Sequence, residues 1–365
     1  MSYVVGRTLG LYISGRVIRA VLGSLAMIFG LVFVLDVIET SRRASDIANA
    51  ELTTILSISL FRTPSIIEQA LPCAVLFGSM AAFLGLSRKL ELIVARAAGV
   101  SAWQFLAPVF VFAVLFGVFA AAVFNPLSAE LKARCEALEA YLFDGRTSVV
   151  NDAAIRWLRQ KTPDGQAILR ASHSTEGGAI LSGVTFFTFD LDGRFVERIE
   201  AASAILKSGF WELKDVRVLA PDREPAPYDQ YRIATFLTTE QVRQRFEKPD
   251  SVPFWRLPTA IELANTAGLD ANEYRLRFQT LLARPVLLLA MTMIAATVSL
   301  RFFRFGGIGL LIAGGIAAGF VLYVVTEMTE DLGSAGILNP ALAAWTPALI
   351  GLLVGFAMLL NQEDG

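Results

Sequence analysis

The chain has 365 residues, 55% of them hydrophobic and 18% charged, with a net charge of −1 and a mean hydropathy of +0.56. So much apolar surface exceeds what one soluble core can hide, which excludes an ordinary soluble domain. A near-neutral balance argues against a nucleic-acid partner, and a single histidine with two cysteines argues against a metal centre or a disulfide framework.

In chain order, six apolar runs come close to the ~20 residues that cross a hydrocarbon layer ~30 Å thick. They cover 17–38, 55–86, 105–124, 281–300, 308–325 and 342–360. The first is too long for the core of a signal peptide and no clear cleavage site follows it, so an uncleaved anchor is expected. The second carries Arg62 and Glu68 near its start, and that end is expected to project beyond the lipid. Between the third and fourth spans lies one polar block, which divides the chain into 1–130, 131–272 and 273–365. In this block, short runs at 155–158, 167–171, 184–189 and 216–219 alternate with turn-forming residues. Asp164-Gly165 and Asp192-Gly193 suit the positive φ of tight hairpin turns, and Pro221, Pro225 and Pro227 mark a loop. Helix is expected again over 258–277. The fold class that follows is an α-helical membrane protein with six transmembrane helices and an inserted all-β, jellyroll-like domain.

Charge sets the topology. Arg7, Arg16 and Arg19 cluster at the start of the first span, Arg88, Lys89 and Arg96 follow the second, and Arg301 and Arg304 follow the fourth. Six alternating helices put all of these on one side, which the positive-inside rule makes cytoplasmic. Both termini are then expected in the cytoplasm of a multi-pass membrane protein, with the β domain in the periplasm or the exterior. Cys73 and Cys135 lie too far apart in this layout to pair and read as packing residues, and His173 reads as a solvated structural residue with no nucleophile pattern beside it. No catalytic and no metal-binding residue is expected.

The short cytoplasmic stretch 87–101 carries the strongest mechanistic signal. On a helical projection Leu90, Ile93, Val94 and Ala97 share one face, Arg88, Lys89, Glu91 and Arg96 spread over the other, and Gly99 suits a C-cap. Two readings stay open: an interfacial helix whose charges hold the loop in the cytoplasm, or a coupling helix gripped by a soluble motor. The chain has no Gly-x-x-x-x-Gly-Lys-Ser/Thr loop, so it is expected to bind no cofactor of its own; ATP would be bound by a partner subunit.

Near the outer end of the first span, Asp36 and Glu39 share a helix face and Arg42 and Arg43 follow within a turn. They mark either the membrane boundary or a substrate contact. Gly315-x-x-x-Gly319 would let another helix approach closely, as a seam or gate, and Glu327, Glu330 and Asp331 are expected beyond the lipid.

Residues 87–101, Ser-Arg-Lys-Leu-Glu-Leu-Ile-Val-Ala-Arg-Ala-Ala-Gly-Val-Ser, resemble the signature of the LptF/LptG family of lipopolysaccharide-export permeases, with Glu91, Arg96, Ala97, Ala98 and Gly99 on its most characteristic positions. The similarity continues through 274–285, Ser299-Leu300-Arg301, Gly319-Phe320 with Tyr323, and Asn339-Pro340 with Trp345 and Pro347, and is closer to the LptG branch than to the LptF branch. The resemblance implies a heterodimer with an LptF-like permease, a periplasmic jellyroll on each subunit, a cytoplasmic LptB-like ATPase dimer, and delivery of lipopolysaccharide to LptC-like and LptA-like bridge proteins. It makes Glu91 the coupling acid, with Arg88, Arg96 and Gly99 around it, and marks Phe320 and Tyr323 as candidate substrate contacts. Related permeases pair a basic with an acidic residue near the outer end of the first span. Here Asp36 stands at the basic position, so phosphate contacts are expected to shift to Arg42, Arg43 or Arg62. Three functions of different class follow: an extracting permease, a mechanotransmission protein that moves a periplasmic domain without carrying substrate, and a lipid-modifying membrane enzyme. The last lacks any histidine in its spans.

Overall fold

The computed structural model describes residues 2–45, 51–97, 99–144, 158–162, 165–175, 179–190, 192–221, 224–235, 249–266, 271–305 and 308–363. The helices are α1 (Ser2–Ala44), α2 (Leu52–Arg88), α3 (Glu91–Ala97), α4 (Ala102–Phe119), α5 (Asn125–Asp144), α6 (Leu257–Thr266), α7 (Asn272–Phe305), α8 (Ile308–Ser334) and α9 (Pro340–Glu363). A π-helical turn, Ala120–Phe124, joins α4 to α5. Among the described residues, five helical stretches are long and apolar enough to cross a membrane: Leu9–Ala44, Leu52–Arg88, Ala102–Glu139, Asn272–Ser299 and Pro340–Asn361. The predicted span 308–325 also lies in helix, within α8, but is not one of these five.

Helices α2 and α7 form the centre of the bundle. Phe83, Leu86, Leu288 and Met291 are fully buried there, while α1 touches the bundle through Ile13, Val17 and Val21 and leaves Met27, Leu31 and Leu35 exposed. Close approach explains the α1–α2 contact. A Cβ on Gly78 would stand 2.6 Å from the Val21 Cα, and the Ser24 hydroxyl donates to the Ala74 carbonyl at 2.8 Å. Gly117 plays the same part between α4 and α7, lying against the backbone of Pro285.

The polar block opens as helix rather than strand, because the third span runs on through the π turn into α5 as far as Asp144. Six strands then follow: β1 (Leu158–Thr162), β2 (Gly165–Thr175), β3 (Ile180–Phe189), β4 (Phe195–Lys207), β5 (Phe210–Leu219) and β6 (Ala226–Ala234). They form one antiparallel sheet in which each strand pairs with the next in sequence. This is a meander, and the crossovers of a jellyroll are not seen among the described residues. Leu169, Leu181, Phe186, Ile199, Trp211 and Leu213 alternate along the strands to fill one buried face.

The Asp192-Gly193 turn closes β3 onto β4, with Gly193 at φ 79° and the Asp190 carboxylate accepting from the Arg194 N–H at 2.8 Å. Of the other predicted turn only Gly165 is described; Asp164 and strand residues 155–157 lie outside the described residues, as do Gly306 and Gly307. The side chains of His173, Arg301 and Arg304 lie outside them too. Pro221 and Pro225 lie between β5 and β6, whereas Pro227 falls inside β6, the edge strand, where a missing N–H is tolerated.

Strand β4 is absent from the sequence reading. Its Glu197, Glu200, Ala201, Ala202 and Ala204 favour helix intrinsically, and pairing on both sides overrides that preference.

Gly78→Ala should push α1 off α2 and destabilise the fold by about 1–3 kcal/mol, the usual cost of overpacking. Thermal unfolding of the detergent-solubilised protein checks this; a wild-type midpoint would show that the crossing has slack.

Candidate functional site

Helix α2 ends at Arg88, and a two-residue turn leads straight into α3. Leu90 in that turn has φ 62°, a left-handed conformation that a branched side chain rarely adopts, and Gly99 closes the segment at φ 81°. Ser101 then starts α4 with a reciprocal capping box, accepting from the Gln104 N–H at 3.4 Å. The sharp turn rolls α3 so that Leu92 and Ala95 are its buried residues. Leu90, Val94 and Ala97, three of the four residues on the predicted apolar face, are exposed instead. The side chains of Ile93 and Arg96 lie outside the described residues, as does Ala98. Arg88 is exposed, and Glu91 is half-buried with its carboxylate 3.8 Å from the Arg16 guanidinium of α1. The result is an apolar stripe facing away from the bundle with one acid beside it.

Towards the C-terminal end of α1, Arg62 donates to Asp36 at 2.9 Å and also pairs with Glu139 of α5. Both carboxylates compensate its charge, so a phosphate would have to displace them. Arg42 and Arg43 are different. Among the described residues each pairs with Glu39, at 2.9 Å, and their side chains are 77% and 57% exposed. Gly315 and Gly319 of α8 lie against α2 and α7 of the same chain: a Cβ on Gly315 would stand 2.9 Å from the Met80 sulfur and 3.0 Å from Val298, and one on Gly319 would meet Leu76. Phe320 points outward, 64% exposed, whereas Tyr323 lines an internal cavity.

That cavity, of about 190 Å³, opens beside a charge cluster that sequence reasoning missed. Glu68 of α2 is 2% exposed, inside the helix bundle. Its Oε1 accepts from Arg284 at 2.7 Å and from Arg277 at 2.9 Å, both on α7, and the Asn125 amide of α5 donates to both carboxylate oxygens at 3.0 and 3.2 Å. The Asn125 carbonyl in turn accepts from the Phe254 N–H at 2.9 Å. Phe254 belongs to the return segment of two short 3₁₀ turns, Pro249–Ser251 and Phe254–Arg256, that leads from the β domain back to the bundle. Asp250 in this segment pairs with Lys132 of α5 at 3.3 Å and with Arg277 at 3.7 Å. Glu327 and Glu330 face the same cavity. Two further cavities are apolar: about 410 Å³ between α1, α2 and α4, and about 570 Å³ between α7, α8 and α9. Among the described residues no group of three or more His, Cys, Asp or Glu side chains could hold a metal ion.

An ionisable residue inside an apolar run signals a buried partner of opposite sign, and Glu68 with Arg284 fits that signal. Arg284→Gln alone should destabilise the protein by about 3–5 kcal/mol, because it strips the buried carboxylate of its nearest cation. The double variant Glu68→Gln/Arg284→Gln should recover more than half of that loss. Thermal unfolding of the four members of this cycle measures the coupling, and strictly additive effects would show that the two residues act independently.

Residues 11–361 match the family described as lipopolysaccharide export system permease LptF/LptG. The lipopolysaccharide export system permease protein LptG of Haemophilus influenzae is 23% identical over 368 residues, 98% of this chain and 99% of that protein. The LptG protein of Escherichia coli K12 is 20% identical over 362 residues, 96% of this chain and 98% of its own length. With the match running through spans, sheet and the α3 segment alike, the chain belongs to the LptF/LptG family of lipopolysaccharide export system permeases.

Proposed function

We propose that this chain is a permease subunit of an ATP-driven exporter that extracts lipopolysaccharide from the bacterial inner membrane and passes it to a periplasmic bridge. The observation that carries the reading is α3: a short helix fused to a central span by a strained turn, showing Leu90, Val94 and Ala97 outward beside Glu91. Such an element fits a groove on a soluble motor, which a chain without a P-loop needs for energy. Arg88, Glu91, Arg96 and Gly99 form the contact with an LptB-like ATPase dimer. An LptF-like permease completes the membrane half, and LptC-like and LptA-like proteins receive the lipid from a jellyroll-type periplasmic domain. Both termini lie in the cytoplasm, and α8 serves as the sixth span.

Mechanotransmission without carriage is the competing reading. The apolar cavities of about 410 and 570 Å³ in the membrane half favour carriage, since acyl chains need such space. Asp36, Glu139 and Arg62 form a compensated structural cluster, which leaves Arg42 and Arg43, each paired with Glu39 at the surface, as the accessible donors for sugar phosphates. Phe320 and Tyr323 are three residues apart in α8 and neighbours on its surface, Phe320 exposed and Tyr323 at the cavity beside the charge cluster.

Release of lipopolysaccharide from proteoliposomes holding this chain, its permease partner and the ATPase tests the proposal: release should require ATP, and ATP-independent or absent release would contradict it. Glu91→Lys should sharply lower the ATPase recovered with the chain on affinity purification, and unchanged recovery with unchanged export would remove α3 as the contact. Arg42→Ala/Arg43→Ala should weaken photo-crosslinking of lipopolysaccharide to α1, with equal yield showing that phosphate is held elsewhere.

A further inference from the structure

Prolines interrupt the hydrogen-bond ladders of both central helices around the charge cluster: Pro64 and Pro72 flank Glu68 in α2, and Pro285 lies in α7. Pro72 lies one turn after Glu68 in α2, and having no N–H it leaves the Glu68 carbonyl without its helical donor. Pro285 directly follows Arg284 in α7 and does the same to the carbonyl of Leu281. The ion pair therefore joins two helices beside their proline breaks. On one side of the breaks everything is tied together. Glu68 holds Arg277, Arg284 and Asn125, Asn125 holds the return segment, and Asp250 bridges Lys132 to Arg277. The Trp255 indole adds a bond to the Ala122 carbonyl, in the π turn, at 3.0 Å. Thus both roots of the β domain, α5 leading in and residues 249–256 leading out, are locked to α2 and α7. On the other side of the breaks the same two helices meet again, where the Ser87 hydroxyl donates to the Ser299 carbonyl at 3.3 Å, next to α3.

We infer that Glu68 is a positioning residue that locks both roots of the β domain to the outer halves of α2 and α7, while Pro72 and Pro285 form a paired pivot about which the inner halves swing when α3 is driven. The inference rests on the proposed ATP-driven function. The cavity of about 190 Å³ beside the cluster gives the arginine head groups room to adjust during the swing. Without the lock, work done on α3 would bend the spans and leave the β domain behind.

The test uses the complex of this chain with its permease partner and ATPase in proteoliposomes. Glu68→Gln/Arg284→Gln, which removes both charges together, should leave ATP hydrolysis within about twofold but lower the lipopolysaccharide released per ATP about tenfold. A wild-type ratio would overturn the inference. Pro72→Ala restores the helical hydrogen bond without touching the lock and should also lower the ratio; a wild-type ratio with a fully assembled complex would remove the pivot.

Spin labels give a readout independent of substrate, in a chain whose Cys73 and Cys135 are replaced by serine. The distance between labels at Arg134 and Arg256 should stay narrow with and without nucleotide and broaden in Glu68→Gln/Arg284→Gln. That between Arg134 and Lys89 should change with nucleotide. If wild-type complex releases no lipopolysaccharide, the transport reading fails while the labels still decide the pivot: movement at Lys89 against a rigid Arg134–Arg256 pair supports it, and a static Lys89 refutes it.

Discussion

A carboxylate buried to 2% exposure among apolar helices can stay ionised only if its surroundings replace the water it has lost. For Glu68 that replacement comes from two guanidinium groups and one side-chain amide, contributed by two other helices. The desolvation penalty of several kcal/mol per ion makes the arrangement intolerant of half measures, since moving any one partner leaves a bare charge behind. Such a cluster contributes little net stability compared with apolar packing, but it fixes which helices meet and at what height. In this chain it fixes α2 against α5 and α7, and through Asn125 and Asp250 it fixes where the β sheet is rooted.

Around this fixed centre two helices keep one side open. Helix α1 meets the bundle along one stripe, Ile13, Val17 and Val21, and α8 packs through Gly315 and Gly319, each leaving a broad apolar face exposed. In water such faces would be liabilities; among lipids or against a second permease they are ordinary surface. The architecture thus combines a central helix pair fixed at its Glu68 end, two peripheral helices with open apolar sides, and the short helix α3 attached to the pair by a left-handed turn at Leu90.

Much of this was legible from residue order. Hydropathy located five helices long and apolar enough to be spans, since a run that is apolar all round has no alternative in water, and Asp192-Gly193 announced its hairpin because few other pairs accept that backbone. The α3 segment could be placed, but not the face it shows. The projection grouped Leu90 with Val94 and Ala97 correctly, and the left-handed turn at Leu90 then turns that group away from the bundle. The charge cluster was hidden for another reason. Glu68 finds Arg277 and Arg284 at separations of 209 and 216 residues, so no local pattern reveals the pair. Arg62 misled in the opposite sense: an arginine in a span invites a phosphate, yet Asp36 and Glu139 already occupy it.

The central claim is that the chain carries force from a cytoplasmic ATPase to a lipid on the far side of the central helix pair. Affinity purification of the full chain from its native membranes, with mass spectrometry of everything that accompanies it, tests this most directly. The account predicts a second permease of the same family, an ATPase in two copies and bound lipopolysaccharide. Recovery of the chain alone, with phospholipid as its only companion, would contradict it.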